Sequence, residues 1–201
     1  TADVTDSNRI TLSGLAAGTN YEFHLWTSCT EGNSDTVTLS FTTRDLPAEM
    51  PYSTGFELSD DNSWDFVNGS STNKWFIGTA AYSEGSRGLY VSDDNGEHNT
   101  YTLSSTTNVY AYREIHISEA GDYTIAYDWK NMGEGSGDSP YDYMNVYIAP
   151  ITATMTAGSA PSTTGWITVA TVQNQVSEWQ HFVGEHHFNA ADTGLYKLVF
   201  H

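Results

Sequence analysis

Basic side chains are scarce in this 201-residue chain: 7 Lys and Arg stand against 25 Asp and Glu, a formal net charge of −18. Nucleic acid and anionic membrane are therefore poor partners, because phosphate groups are held by cations that release counterions. Cysteine is almost lacking; with Cys29 alone, no disulfide closes within these residues. No apolar run approaches the roughly 18 residues that a membrane-crossing helix needs. The opening "TADVTDSNRI" has no charged-then-apolar leader pattern, and the chain is expected to begin mid-protein. G-x-S-x-G, H-E-x-x-H and P-loop motifs are missing too, which removes the usual sequence supports for hydrolase or nucleotide chemistry.

What is present favours strands. The chain holds 13 Tyr, 8 Phe, 6 Trp and 17 Gly, a mix suited to strands joined by turns. Residues 9–43 read as three strands: "RITLSGL", "YEFHLWTSC" and "TVTLSFTT", separated by "AAGTN" and "EGNSD". The stretch "LSGLAAGTNYEFHLWTSC" resembles the second half of a fibronectin type III domain. The resemblance makes Tyr21 a tyrosine corner, its hydroxyl bonding backbone just upstream. Three strands cannot bury two sheet faces, so the protein is expected to extend upstream.

"RDLPAEMPYSTGF" reads as a linker, stiffened by Pro47 and Pro51 and closed to continuous strand pairing. From Tyr52 onward eight or nine strands are expected. They are "WFIGT", "GLYVS", "TYTLS", "VYAYREIHI", "DYTIAYDWK", "YMNVYIAP", "WITVATV", "WQHFVGEHHF" and "LYKLVFH". With long polar connections and no helical pattern, they predict an antiparallel jelly-roll sandwich. Several pieces carry a second resemblance: "TGFE" at 54–57, "GLYVSDDNGEHNTYT" at 88–102, "VYAYREIHI" at 109–117, "GDYTIAYDWK" at 121–130, "YDYMNVYIAP" at 141–150 and "GLYKLVFH" at 194–201. This segment is similar to the cleaved-adhesin family, a jelly-roll domain of bacterial surface and secreted proteins. The resemblance implies an extracellular, calcium-stabilised sandwich that binds host proteins, glycans or other cells. It departs from the family in lacking the Trp/Asn/Asp loop and the Asp-bearing final strand before His201, so the sandwich is expected to continue beyond.

The acidic loops are the candidate chemistry. In "SDDNGEHN", calcium would draw on Asp93, Asp94 and neighbouring amides and carbonyls. The spacing is not that of an EF-hand, so Glu57 and Asp142 are the expected remote donors. The alternative is a solvated turn, since Asp, Asn and Gly are the usual turn formers. A second cluster, Glu57, Asp60, Asp61 and Asp65, reads equally as a cation site or a polar loop. "NMGEGSGDSPYDY" is a Gly-rich acidic loop that places Tyr141 and Tyr143 beside it as binding aromatics, with Trp166 a third. His186 and His187 point to opposite strand faces and cannot share one zinc, whereas His181 and His187 share a parity. Glycoside hydrolysis asks only for two carboxylates at the right separation, but most acids here lie in turns.

The sequence therefore predicts an all-β protein: residues 1–44 a partial fibronectin type III-like sandwich, 45–51 a linker, and 52–201 an antiparallel jelly-roll β-sandwich. The function expected is non-enzymatic adhesion to a host extracellular protein or glycan at a bacterial surface, with calcium as cofactor. A carbohydrate-binding module and a structural spacer are the alternatives.

Overall fold

The computed structural model describes residues 10–60, 63–103, 106–136, 138–174 and 176–201. They form strands, turns and one 3-10 turn, Ala190–Asp192, so the protein is all-β. No helix among them is long and apolar enough to cross a membrane. The chain divides into two compact units, Thr1–Leu46 and Pro47–His201.

The first unit holds β1 (Asn20–Leu25), β2 (Ser28–Cys29), β3 (Gly32–Asn33) and β4 (Val37–Thr42). β1 and β4 pair antiparallel, setting Tyr21 opposite Phe41, Phe23 opposite Leu39 and Leu25 opposite Val37. Side chains alternate across a strand, so these six apolar residues share one face. The Tyr21 and Phe41 rings stack at 5.9 Å, and the Ala16 N–H donates to the Tyr21 hydroxyl at 2.8 Å. One expectation fails here. "RITLSGL" forms no strand over its described residues 10–15, because no described strand pairs with it. Leu25 is 54% and Leu39 61% exposed, since no second sheet among this unit's described residues covers their face.

The second unit contains β5 (Ala48–Glu49), β6 (Asp65–Val67), β7 (Lys74–Gly78), β8 (Gly88–Ser92), β9 (Tyr110–Ile117), β10 (Gly121–Asn131), β11 (Gly135–Ser136) and β12 (Ser139–Pro140). β13 (Met144–Pro150), β14 (Ile167–Gln173), β15 (Val176–Phe188) and β16 (Gly194–Phe200) complete it. A six-stranded sheet runs β14-β13-β16-β9, with β5 and β6 sharing the far edge of β9. All its pairings are antiparallel except β5 on β9. Two further antiparallel pairs, β7–β8 and β10–β15, stand apart from it.

Alternation along the central strands explains the layers. Ala111, Ile115 and Ile117 of β9, Val146 and Ile148 of β13, and Phe200 of β16 belong to one face. They pack on Trp64, Trp75, Leu89 and Val91 at one end and on Tyr123, Ile125 and Phe188 at the other. The β7–β8 and β10–β15 pairs thus lie over this face as a second layer. The opposite face presents Tyr110, Tyr112, Tyr147, Ala149 and Val199, and it is covered by Ala153, Met155 and Trp166 of the β13–β14 connection. That connection is fastened by backbone: Lys197 Nζ donates to Ala153 O at 2.7 Å, and the Tyr110 hydroxyl bonds Ser159 O.

Two departures stand out. The expected linker contributes β5, because Pro47 and Pro51 flank Ala48 and Glu49 without occupying the pairing positions. "TYTLS" is not a strand over Tyr101–Leu103; side-chain bonds hold that segment instead. Trp75 is 7% exposed and donates its indole N–H to Val109 O at 3.2 Å. Trp75→Ala removes a core ring and leaves that carbonyl unpaired, so urea unfolding should show a loss of about 3–5 kcal/mol.

Candidate functional site

The loop after β8 is built by its own polar groups. Ser92, fully buried, ends the strand and donates its hydroxyl to Asp94 Oδ1 at 2.7 Å while accepting the Gly96 N–H at 3.0 Å. Asn95 and Gly96 take positive φ, 64° and 90°, which Asn and Gly tolerate best. A Cβ at Gly96 would sit 3.1 Å from the Phe76 ring, a second reason for glycine there. Tyr90 closes the turn by donating its hydroxyl to Gly96 O at 2.7 Å. Asp93 accepts the hydroxyls of Thr100 at 2.8 Å and Thr102 at 2.9 Å. Buried Asn73 holds the exit, bonding both the N–H and C=O of Thr102.

Asp94 also receives the His98 backbone N–H at 3.0 Å and faces the His98 ring, whose Nδ1 is 2.6 Å from Oδ2. The Ser92 hydroxyl and then the His98 ring hold the Asp94 carboxyl well below the usual carboxylate range. In return Asp94 raises the His98 imidazole above its ordinary 6.5. Asp94, Glu97 and His98 bring ligand atoms within 4.8 Å of one another, the one such gathering of three or more among the described residues.

The four expected metal ligands are not drawn together. Asp93 and Asp94 shape the loop just described. Glu57 accepts the Ser86 N–H at 2.7 Å, the Ser86 hydroxyl at 2.6 Å and the Arg87 N–H at 3.0 Å. These bonds, led by the Ser86 hydroxyl, lower its pKa and clamp the turn before β8. Asp60 folds "TGFE" by accepting the Gly55 and Glu57 N–H groups at 2.8 and 3.1 Å. Asp61 and the Cys29 side chain lie outside the described residues. Calcium takes about six to eight oxygen ligands. Two carboxylates and an imidazole, with both Asp94 oxygens already accepting bonds, do not fit it.

Asp142 has another role. Its Oδ2 accepts the Tyr101 hydroxyl at 3.1 Å and the Glu134 N–H at 2.9 Å. Burial and the Asp142 charge push Tyr101 up to about 12. Tyr101 thereby joins the loop at 92–102 to the Gly-rich loop at 131–143. The second loop is also fastened at its base: Asn131 Nδ2 donates to Gln173 O at 3.0 Å, and the Gly133 N–H to Asn174 Oδ1 at 2.9 Å. Beside that base Val172, 49% exposed, holds φ at 55° with its N–H on Asn145 Oδ1, a strained state for a β-branched residue. On this frame Tyr141 is 60% and Tyr143 45% exposed. Trp166 lies elsewhere, half-buried and edge-on to Tyr147 at 5.5 Å.

The histidines of β15 also resolve. His181 and His187 share the outer face, each bonded to the aspartate opposite it, Asp128 at 2.7 Å and Asp122 at 2.6 Å. His186 points inward onto the Phe188 ring at 4.7 Å. Asp128 also accepts the Ser83 hydroxyl at 2.9 Å. In a hydrolytic triad the imidazole stands between acid and hydroxyl. Here the carboxylate does, so the Ser83 proton points to Asp128.

Sequence reasoning missed Ser92, Asn73 and Tyr101, whose partners lie across the fold; only the Asn-Gly pair advertised a turn. Comparison with protein-family models, curated proteins and solved structures finds no match to this chain.

The Asp94–His98 pair has a defined pH window. Asp94, depressed below 3.8, contributes stability present above that value and lost as pH falls through its folded pKa. His98, raised above 6.5, contributes stability present below 6.5 and lost as pH rises through its folded pKa. An NMR titration should place the His98 midpoint above 6.5 and lower it in Asp94→Asn.

Proposed function

We propose that this chain is a recognition module of an extracellular bacterial protein, a jelly-roll domain preceded by part of a fibronectin type III-like domain. It attaches to a host protein or glycan through the loops at 92–102 and 131–143. The observation that carries this reading is the Tyr101–Asp142 hydrogen bond, which makes one fixed surface of two loops and leaves Tyr141 and Tyr143 exposed on it. Rigid aromatics held on an ordered frame give contact area at small entropic cost. Long loops on a rigid sandwich are a common seat of recognition. The reading needs no ion, because hydrogen bonds already close both loops.

A spacer would bind nothing, and a glycan-binding module would retain sugars alone. Immobilised extracellular matrix proteins and a glycan array test the reading together. At least one surface should retain the chain, and Tyr141→Ala/Tyr143→Ala should lower retention about tenfold with an unchanged melting temperature. Tyr101→Phe, which cuts the link between the loops and keeps the ring, should weaken retention by a smaller factor. Absence of retention on every surface would overturn the module reading.

A further inference from the structure

The chain's own cations show what its aromatic rings pair with. Arg113 lies over Tyr52 at 5.9 Å, Lys130 over Trp179 at 4.9 Å and Lys197 over Tyr112 at 5.2 Å. Arg87 is committed to backbone, donating to Phe56 O and Ile77 O. Among the described residues no cation lies over Tyr141 or Tyr143, the two most exposed tyrosines of the joined loops.

The sequence makes this difference systematic. Residues 92–102 and 131–143 contain six carboxylates and no Lys or Arg. Asp93, Asp94 and Asp142 spend their oxygens inside the loops, as acceptors for Thr100, Ser92 and Tyr101. Glu134 and Asp138 are exposed on the same loop as the two tyrosines, the Tyr141 N–H donating to Glu134 O at 2.8 Å, and Met132 there is 64% exposed. An exposed aromatic pair set among uncompensated acids attracts a cation for two separate reasons. The ring faces draw it by their quadrupole and the carboxylates by their charge.

We infer that the Tyr141–Tyr143 surface takes a lysine- or arginine-rich segment of a partner protein, the basic side chains lying against the tyrosine rings with Glu134 and Asp138 at their flanks. This inference rests on the recognition reading above and names the ligand class for that surface. Anionic glycans are disfavoured there by the same carboxylates. A neutral glycan would gain the ring faces and nothing from the charge.

Fluorescence anisotropy with labelled decalysine at physiological ionic strength tests the assignment on the full chain. Tyr141→Ala/Tyr143→Ala should weaken binding about tenfold, while Tyr141→Phe/Tyr143→Phe, which keeps both rings, should stay within about twofold. Glu134→Gln/Asp138→Asn should weaken it as much. Glu119→Gln/Glu178→Gln removes equal charge from exposed sites elsewhere and should change affinity less than about twofold. Decalysine affinity indifferent to the rings, or equally sensitive to both charge pairs, would show bulk attraction and overturn the inference. Retention of a neutral glycan through the same tyrosines without decalysine binding would overturn the basic-partner assignment and leave the recognition reading standing.

Discussion

Strand β9 is the constraint on which the second unit depends. Tyr110, Ala111, Tyr112, Arg113, Ile115 and Ile117 are all buried, on two faces of one strand. A slip of one residue would exchange the tyrosine face for the Ala111, Ile115 and Ile117 face, and each fits a different neighbour. The aliphatic face meets the second layer; the tyrosine face meets a connection whose backbone carbonyls receive Lys197 and Tyr110. Both edges are occupied too, one by β16 and the other by β5 and β6. The register of β5, β6 and β16, and through β16 that of β13 and β14, follows from this placement.

Acidic residues in the loops act mainly as internal acceptors. Asp60 folds "TGFE", Glu57 clamps the turn before β8, Asp93 and Asp94 close the next loop, and Asp142 ties it to its neighbour. A carboxylate that accepts two or three N–H or O–H groups orders a loop as a bound ion would, without requiring one. Thus the same residues that suggest a cation site in sequence are hydrogen-bond acceptors that order their own loops.

Legibility followed locality. "VYAYREIHI", "DYTIAYDWK" and "YMNVYIAP" declare themselves by alternation, and all three are strands. "TYTLS" alternates too, yet its polar atoms bond Asn73 and Asp93 rather than a neighbouring strand. β5 was hidden because two residues carry no period, and β6 because Asp65–Val67 is short. The loop acids could be named from composition, but their partners stand up to 41 residues away, as Tyr101 does from Asp142. Trp166 and Tyr143 looked alike in sequence. The β13–β14 connection brings Trp166 onto Tyr147, whereas Tyr143, just before β13, stays 45% exposed.

The Tyr101–Asp142 bond has a consequence for how such a surface diversifies. Two loops that share a donor and an acceptor cannot be exchanged independently, since grafting either alone leaves a half-buried hydroxyl or a carboxylate without its partner in the new host. Substitutions between these anchors, at Ser136 or Ser139, would leave that bond and its frame in place. Loop transplantation between scaffolds would therefore succeed only for the pair moved as one cassette.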